Sequence, residues 1–131
     1  MSELGFLAYL NTDYESAVAR VTEELKKEGF GVLTEIDVKA TLKKKLGVDF
    51  RPYVILGACN PPLAHKALTI APEVGLLLPC NVTVSQEEDG RILVSIVDPN
   101  QMLGVVDNHA LEEIACDAEE RLRRVAAALA A

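Results

Sequence analysis

Apolar residues recur along this chain with two clear periods, one near 3.6 and one of 2, separated by proline- and glycine-bearing breaks. Residues 5–10 are short and apolar and run directly into Asn11-Thr12-Asp13, which predicts a strand feeding a helix. Thr12 and Glu15 have capping-box spacing, and Tyr14, Ala17, Val18, Val21 and Leu25 follow at helical intervals. Lys26 and Lys27 suit the carboxyl end of the helix dipole, and Gly29 suits a left-handed residue beyond it.

Residues 30–36 predict a second strand. Asp37 is placed to cap a short helix with Val38, Leu42 and Leu46 as its buried stripe and Gly47 as its stop. The remaining positions carry Lys39, Lys43, Lys44 and Lys45. They read as a solvated face rather than a phosphate site, because an aspartate occupies the end where an anion would bind. Residues 53–58 are apolar apart from Gly57, as expected of a strand covered on both faces or near a sheet centre. Asn60-Pro61 pairs a capping residue with a first-turn proline and opens a helix over 61–70, with Leu63, Ala67 and Ile70 together.

Residues 75–86 read as extended, with Val82 and Val84 alternating and Pro79 implying an edge position or a bulge that re-aims Cys80. The turn at 87–90 returns the chain as a strand over 91–97, with Ile92, Val94 and Ile96 on one face. Residues 98–106 form a loop whose apolar tip, Met102 to Val106, packs over something. Asp107 or Asn108 then caps a long helix to about Leu129, with Leu111, Ile114, Ala115, Ala118, Leu122, Val125 and Leu129 on its buried side. The element order predicts an α+β fold: a largely antiparallel sheet of about five strands, the two longest helices against one face, and two short extra helices.

Composition narrows the function classes. The 131 residues are expected to make a single domain (1–131), and a chain of this size buries roughly two thirds of its unfolded surface without disulfides or metals. Half the residues are apolar but only 5% are aromatic and none is tryptophan, so the core is aliphatic. Twenty acidic against 13 basic residues give a net charge of −7, which repels phosphate backbones and anionic membranes; nucleic acid and membrane are not expected partners. The stretch Met-Ser-Glu-Leu-Gly-Phe lacks the basic flank and apolar segment of a signal peptide, which points to the cytoplasm. There, three cysteines read as thiols, ligands or nucleophiles rather than disulfide partners.

The candidate chemistry lies between positions 59 and 81, where Cys59-Asn60 and Cys80-Asn81 each end or interrupt an apolar run beside a proline. Cys59 precedes a helix start, a place that favours thiolate, and Cys80 follows a kinked strand. With His65 inside the same helix, convergence of the two thiols would suit a low-pKa nucleophile with its partner, a persulfide carrier or a three-ligand soft-metal site. The plain alternative is packing, since free cysteine often behaves as a small hydrophobe and asparagine as a cap. Cys116 and His109 read as incidental surface positions. No phosphate loop, dinucleotide fingerprint, nucleophile elbow or His-Glu-x-x-His motif is present, so no reaction or cofactor is named.

The run Tyr53-Val54-Ile55-Leu56-Gly57-Ala58-Cys59-Asn60-Pro61, then His65-Lys66-Ala67-Leu68, Gly75-Leu76-Leu77-Leu78-Pro79-Cys80-Asn81-Val82-Thr83-Val84 and Val97-Asp98-Pro99, resembles the prokaryotic family known as domain of unknown function 302. The resemblance spans nearly the whole chain. It implies an α+β sandwich similar to the TATA-binding-protein fold and no established activity. Two functional expectations follow. One is a site at Cys59, Asn60, His65, Cys80 and Asn81 for a thiol-reactive, sulfur-bearing or soft-metal ligand. The other is a non-catalytic interaction module, a homodimer using an open sheet edge or the apolar 102–106 loop.

Overall fold

Five strands form one antiparallel sheet: β1 (Gly5–Leu10), β2 (Gly31–Asp37), β3 (Tyr53–Cys59), β4 (Cys80–Gln86) and β5 (Ile92–Val97), in the order β1-β5-β4-β3-β2. The computed structural model describes residues 4–130; residues 1–3, part of the stretch read above for a signal peptide, lie outside the described residues, as does residue 131. Alternation sets what each strand buries. Phe6, Ala8 and Leu10, then Ile92, Val94 and Ile96, Val82 and Val84, and Val54, Leu56 and Ala58 all turn to one face and are buried there. The expected hairpin between β4 and β5 is present, with Gly90 at φ 89° and its N–H donating to the Glu87 carbonyl at 3.0 Å.

Two long helices cover that face: α1 (Tyr14–Lys27), which buries Ala17, Val21 and Leu25, and α5 (Ala110–Ala130), which buries all seven residues of the expected stripe. The cap of α1 is one residue later than expected. Asp13, not Thr12, is the N-cap, its carboxylate accepting from the Ser16 N–H at 3.0 Å. An ionised carboxylate is a stronger acceptor than a hydroxyl beside the positive end of a helix, and these bonds hold Asp13 below its ordinary pKa. At the other end Gly29 takes φ 83°, and the Phe30 and Gly29 N–H groups donate to the carbonyls of Leu25 and Lys26. This crossed pair of bonds stops α1 and turns Phe30 into the core.

Three expectations need correction. Helix α2 (Val38–Leu46) is capped by Asp37 as expected, but it buries none of its stripe: Val38 and Leu42 are half-buried and Leu46 is 69% exposed. It follows the edge strand β2 and touches the sheet chiefly at β2 and β3 among the described residues, away from the core between the sheet and the two long helices. Residues 72–77 form a 3-10 helix rather than the start of a strand, and β4 begins only at Cys80, after a cis Leu78–Pro79 peptide. Pro79 is thus outside the ladder of a central strand, and the bulge lies instead in β2, between Val32 and Thr34. Residues 99–103 are a short helix, α4 (Pro99–Leu103), capped by Asp98 through the Asn100 N–H at 2.9 Å, not a loop. Helix α3 (Pro61–Ile70) stands where expected, though Ile70 faces solvent while Leu63 and Ala67 are buried.

Candidate functional site

The site is assembled around the start of α3. Asn60 is only 7% exposed, and its side chain works in both directions. The amide oxygen accepts from the Leu63 N–H at 3.2 Å, and the amide nitrogen reaches the Glu28 carbonyl at 3.5 Å. That carbonyl, one of the unsatisfied acceptors at the end of α1, also receives Arg121 Nη1 of α5 at 3.1 Å. Three helices are therefore tied at one oxygen. Gly29 leaves room for the knot: a Cβ there would stand 2.9 Å from the Asn60 amide nitrogen.

Beside this knot, at the end of β3, opens a cavity of about 320 Å³. Phe30, Ala58, Leu63 and Ala67 form its floor, Met102 and Leu103 of α4 one wall, and Ile114 and Ala118 of α5 another. Leu33 belongs to the wall as well, because the β2 bulge lifts it out of the ladder toward the cavity. Cys59 and Cys80 both line this space, as does Pro79. The antiparallel register explains the approach: Ala58 pairs with Cys80, so Cys59 is one step further along the neighbouring strand. Among the described residues no charged side chain lines the cavity, and its polar side-chain groups are the Thr34 hydroxyl and the two thiols.

The electrostatics run against a thiolate at Cys80. Burial first, and the neighbouring Cys59 second, push its thiol up to about 11, so it is neutral at physiological pH. The helix-start argument for Cys59 also loses its donors. Pro61 and Pro62 have no N–H, the Leu63 N–H is taken by Asn60 Oδ1, and the Ala64 N–H by the Asn60 carbonyl at 2.9 Å. Cys59 is half-buried and Cys116 is exposed on α5; none of the three cysteines is in a disulfide.

The other expected site residues are elsewhere. His65 is exposed and lines a separate groove between α3 and α5 with Lys66, Glu113 and Asp117. Asn81 pairs with Gly57 and, by alternation, points to the sheet face opposite Cys80, beside Tyr53, Thr83 and Ser95. Among the described residues no group of three or more His, Cys, Asp or Glu side chains is placed to hold a metal ion, which leaves the soft-metal reading without its third donor. Sequence reasoning missed Leu33, Met102 and Leu103 as cavity walls. The signal for the last two was available: Asp98-Pro99 repeats the cap-then-proline signature of Asn60-Pro61.

Among the described residues no helix is long and apolar enough to cross a membrane. Among curated proteins none matches the chain significantly. The chain is similar to a solved structure described as an uncharacterized conserved protein DUF302 from Bacillus stearothermophilus. The two are 36% identical, with a TM-score of 0.89 over 98% of this chain and 99% of that one. Residues 8–129 match the family model described as domain of unknown function DUF302, and the chain belongs to that family.

Proposed function

We propose that this is a cytoplasmic, single-domain binding protein whose cavity takes a compact, uncharged, largely apolar ligand and holds its sulfur-bearing or thiol-reactive group against Cys59 and Cys80. The observation that carries this reading is that both cysteines line one cavity otherwise walled by hydrocarbon. Such a space has no cation to compensate a carboxylate or phosphate, and desolvating an unpaired ion there costs several kcal/mol, on the order of the idealised penalties for buried charge. It does offer soft, polarisable contacts: the two cysteine sulfurs and the Met102 thioether. A reducing compartment keeps both thiols free. Cys59, the less buried of the two, is the contact a reactive group would meet first.

The test is protection from labelling. Cys59 is modified with a neutral maleimide in the presence of thioanisole, a neutral aryl thioether, or of benzenesulfonate, an anion of similar size. Thioanisole is expected to slow labelling of Cys59 saturably while benzenesulfonate does not, and the exposed Cys116 serves as the internal reference. An Ala67→Phe variant, which fills the floor of the cavity, is expected to abolish the protection. Equal protection by both compounds, or by neither, would overturn the reading.

A further inference from the structure

Both long helices lie on one face of the sheet, and the opposite face shows an unusual composition. By alternation it presents Leu7 and Tyr9 from β1, Leu93, Ser95 and Val97 from β5, Asn81 and Thr83 from β4, Tyr53 and Ile55 from β3, and Ile36 from β2. None of these is charged, in a chain of which 25% is Asp, Glu, Lys or Arg. Tyr9 and Ile36 are 46% and 49% exposed. Charges border it at one end: Arg91 lies over the Tyr9 ring at 4.3 Å and pairs with Asp89 at 2.8 Å, and Arg51 pairs with Glu87 at 3.5 Å, so both pairs belong to a rim.

The pattern is also laid out symmetrically. One row across the sheet reads Leu7, Ser95, Thr83, Ile55, Ile36, and the next reads Tyr9, Leu93, Ser85, Tyr53. In the first row hydroxyls occupy the middle and apolar side chains both flanks; in the second, two tyrosines flank Leu93 and the buried Ser85. A two-fold axis in the plane between two such faces, running across the strands, places Leu7 over Tyr9, Ser95 over Leu93, Thr83 over Ser85 and Ile55 over Tyr53, so that no charge opposes any of them, as an isologous dimer of this face requires. Five strands at about 4.8 Å spacing and about six residues of 3.3 Å rise give a plane of about 500 Å² per copy, hence about 1,000 Å² in total before side-chain relief, the level a specific interface must clear.

We infer that the uncharged sheet face is the homodimer interface of this protein, a second copy packing on it face to face, and not the β2 edge or the loop after α4. Met102 and Leu103, which close α4 and begin the apolar 102–106 stretch, are already committed to the cavity wall. The salt dependence follows from charge: two bodies of −7 repel, and the interface has no ion pairs to lose, so screening tightens the dimer. An interface that paired the α2 lysines with carboxylates of the second copy would weaken instead.

Sedimentation velocity from about 1 to about 100 µM, at about 20 and about 500 mM salt, tests this with the whole chain. The wild type is expected to dimerise, more tightly at high salt. Ser95→Lys and Thr83→Lys, each placing an unpaired charge at the centre, are expected to raise Kd at least about a hundredfold while circular dichroism stays native. Glu35→Lys on the β2 edge and Val105→Lys after α4 are expected to change it less than about threefold, as exposed substitutions outside the interface do. Should the lysine variants unfold, acylation of the Tyr9 hydroxyl is measured on wild type at the same two concentrations, and protection is expected only at the higher. A wild type monomeric at about 100 µM, a dimer indifferent to both central lysines, or concentration-independent Tyr9 labelling would overturn the inference.

Discussion

Raising the pH from 8 to 11 should destabilise the protein through Cys80 in particular. The buried thiol ionises at about 11 in the fold, against an ordinary value of 9.0. A raised acid pKa means that the unfolded chain gives up its proton first. The stabilisation is therefore fully present below pH 9 and is lost as pH rises toward about 11. Two pKa units correspond to about 2.7 kcal/mol in full, of which about 2 kcal/mol has been lost by pH 11. Tyrosines and lysines titrate in the same range, and burial with Asp37 and Glu35 nearby raises Tyr14 too. The assay must therefore difference them out: urea unfolding of wild type and Cys80→Ala at pH 8, 9, 10 and 11, comparing the gap between the two proteins. Cys80→Ala also removes a small buried side chain, but that cost is the same at every pH. The wild-type advantage should shrink by about 2 kcal/mol over the series. A gap that stays constant within about 0.3 kcal/mol, the usual error of additivity, would refute the neutral-thiol argument.

Three further outcomes follow from the site. Asn60→Ala removes both the cap on α3 and the bond to the Glu28 carbonyl, and should cost about 1–2 kcal/mol by urea denaturation. Asn60→Asp, which keeps the acceptor, should cost less. Gly57→Ala builds a Cβ that overlaps Thr34 Oγ1 and stands 2.8 Å from the stiff Pro79 ring; a loss of about 1–3 kcal/mol is expected, partly recovered when Thr34→Ala is added, and read as a lowered melting temperature. His65→Ala and Asn81→Ala, which are outside the cavity, should leave maleimide labelling of Cys59 within about twofold of wild type, a change no larger than surface substitutions usually bring.

Much of this architecture is legible because its periods are long and unbroken. The stripe from Leu111 to Leu129 and the alternation of Ile92, Val94 and Ile96 each repeat often enough to fix both an element and its buried face. Periodicity cannot say whether a second layer exists. Val38, Leu42 and Leu46 have helical spacing, yet α2 follows an edge strand and stays largely in water. Nor can an apolar run without a period choose its own backbone. Leu76 lies in a continuous apolar stretch and is 90% exposed, because Pro72 opens a 3-10 turn that carries it outward. The cavity was the hardest feature to read, since its walls come from six separate elements and from a bulge at Leu33 that no local pattern announces.

The two Cys-Asn steps illustrate how far a motif can be trusted without its geometry. They look equivalent in sequence, but one ends a strand and the other begins one, and that difference assigns every side chain. At Cys80-Asn81 the period of two sends the thiol to the helix-covered face and the amide to the uncharged face. At Cys59-Asn60 the strand has just ended, so the amide turns back to cap α3 and to bind the end of α1 while the thiol borders the cavity. Four similar residues thus serve three different tasks: cavity lining, helix capping and sheet surface. A variant that moved the β3–β4 register by one residue would exchange the positions of Cys80 and Asn81, placing an amide in hydrocarbon and a thiol in water. A buried amide without partners costs about 1–3 kcal/mol, so Asn81 adds a penalty against the slip to the larger one set by the burial of Val82 and Val84.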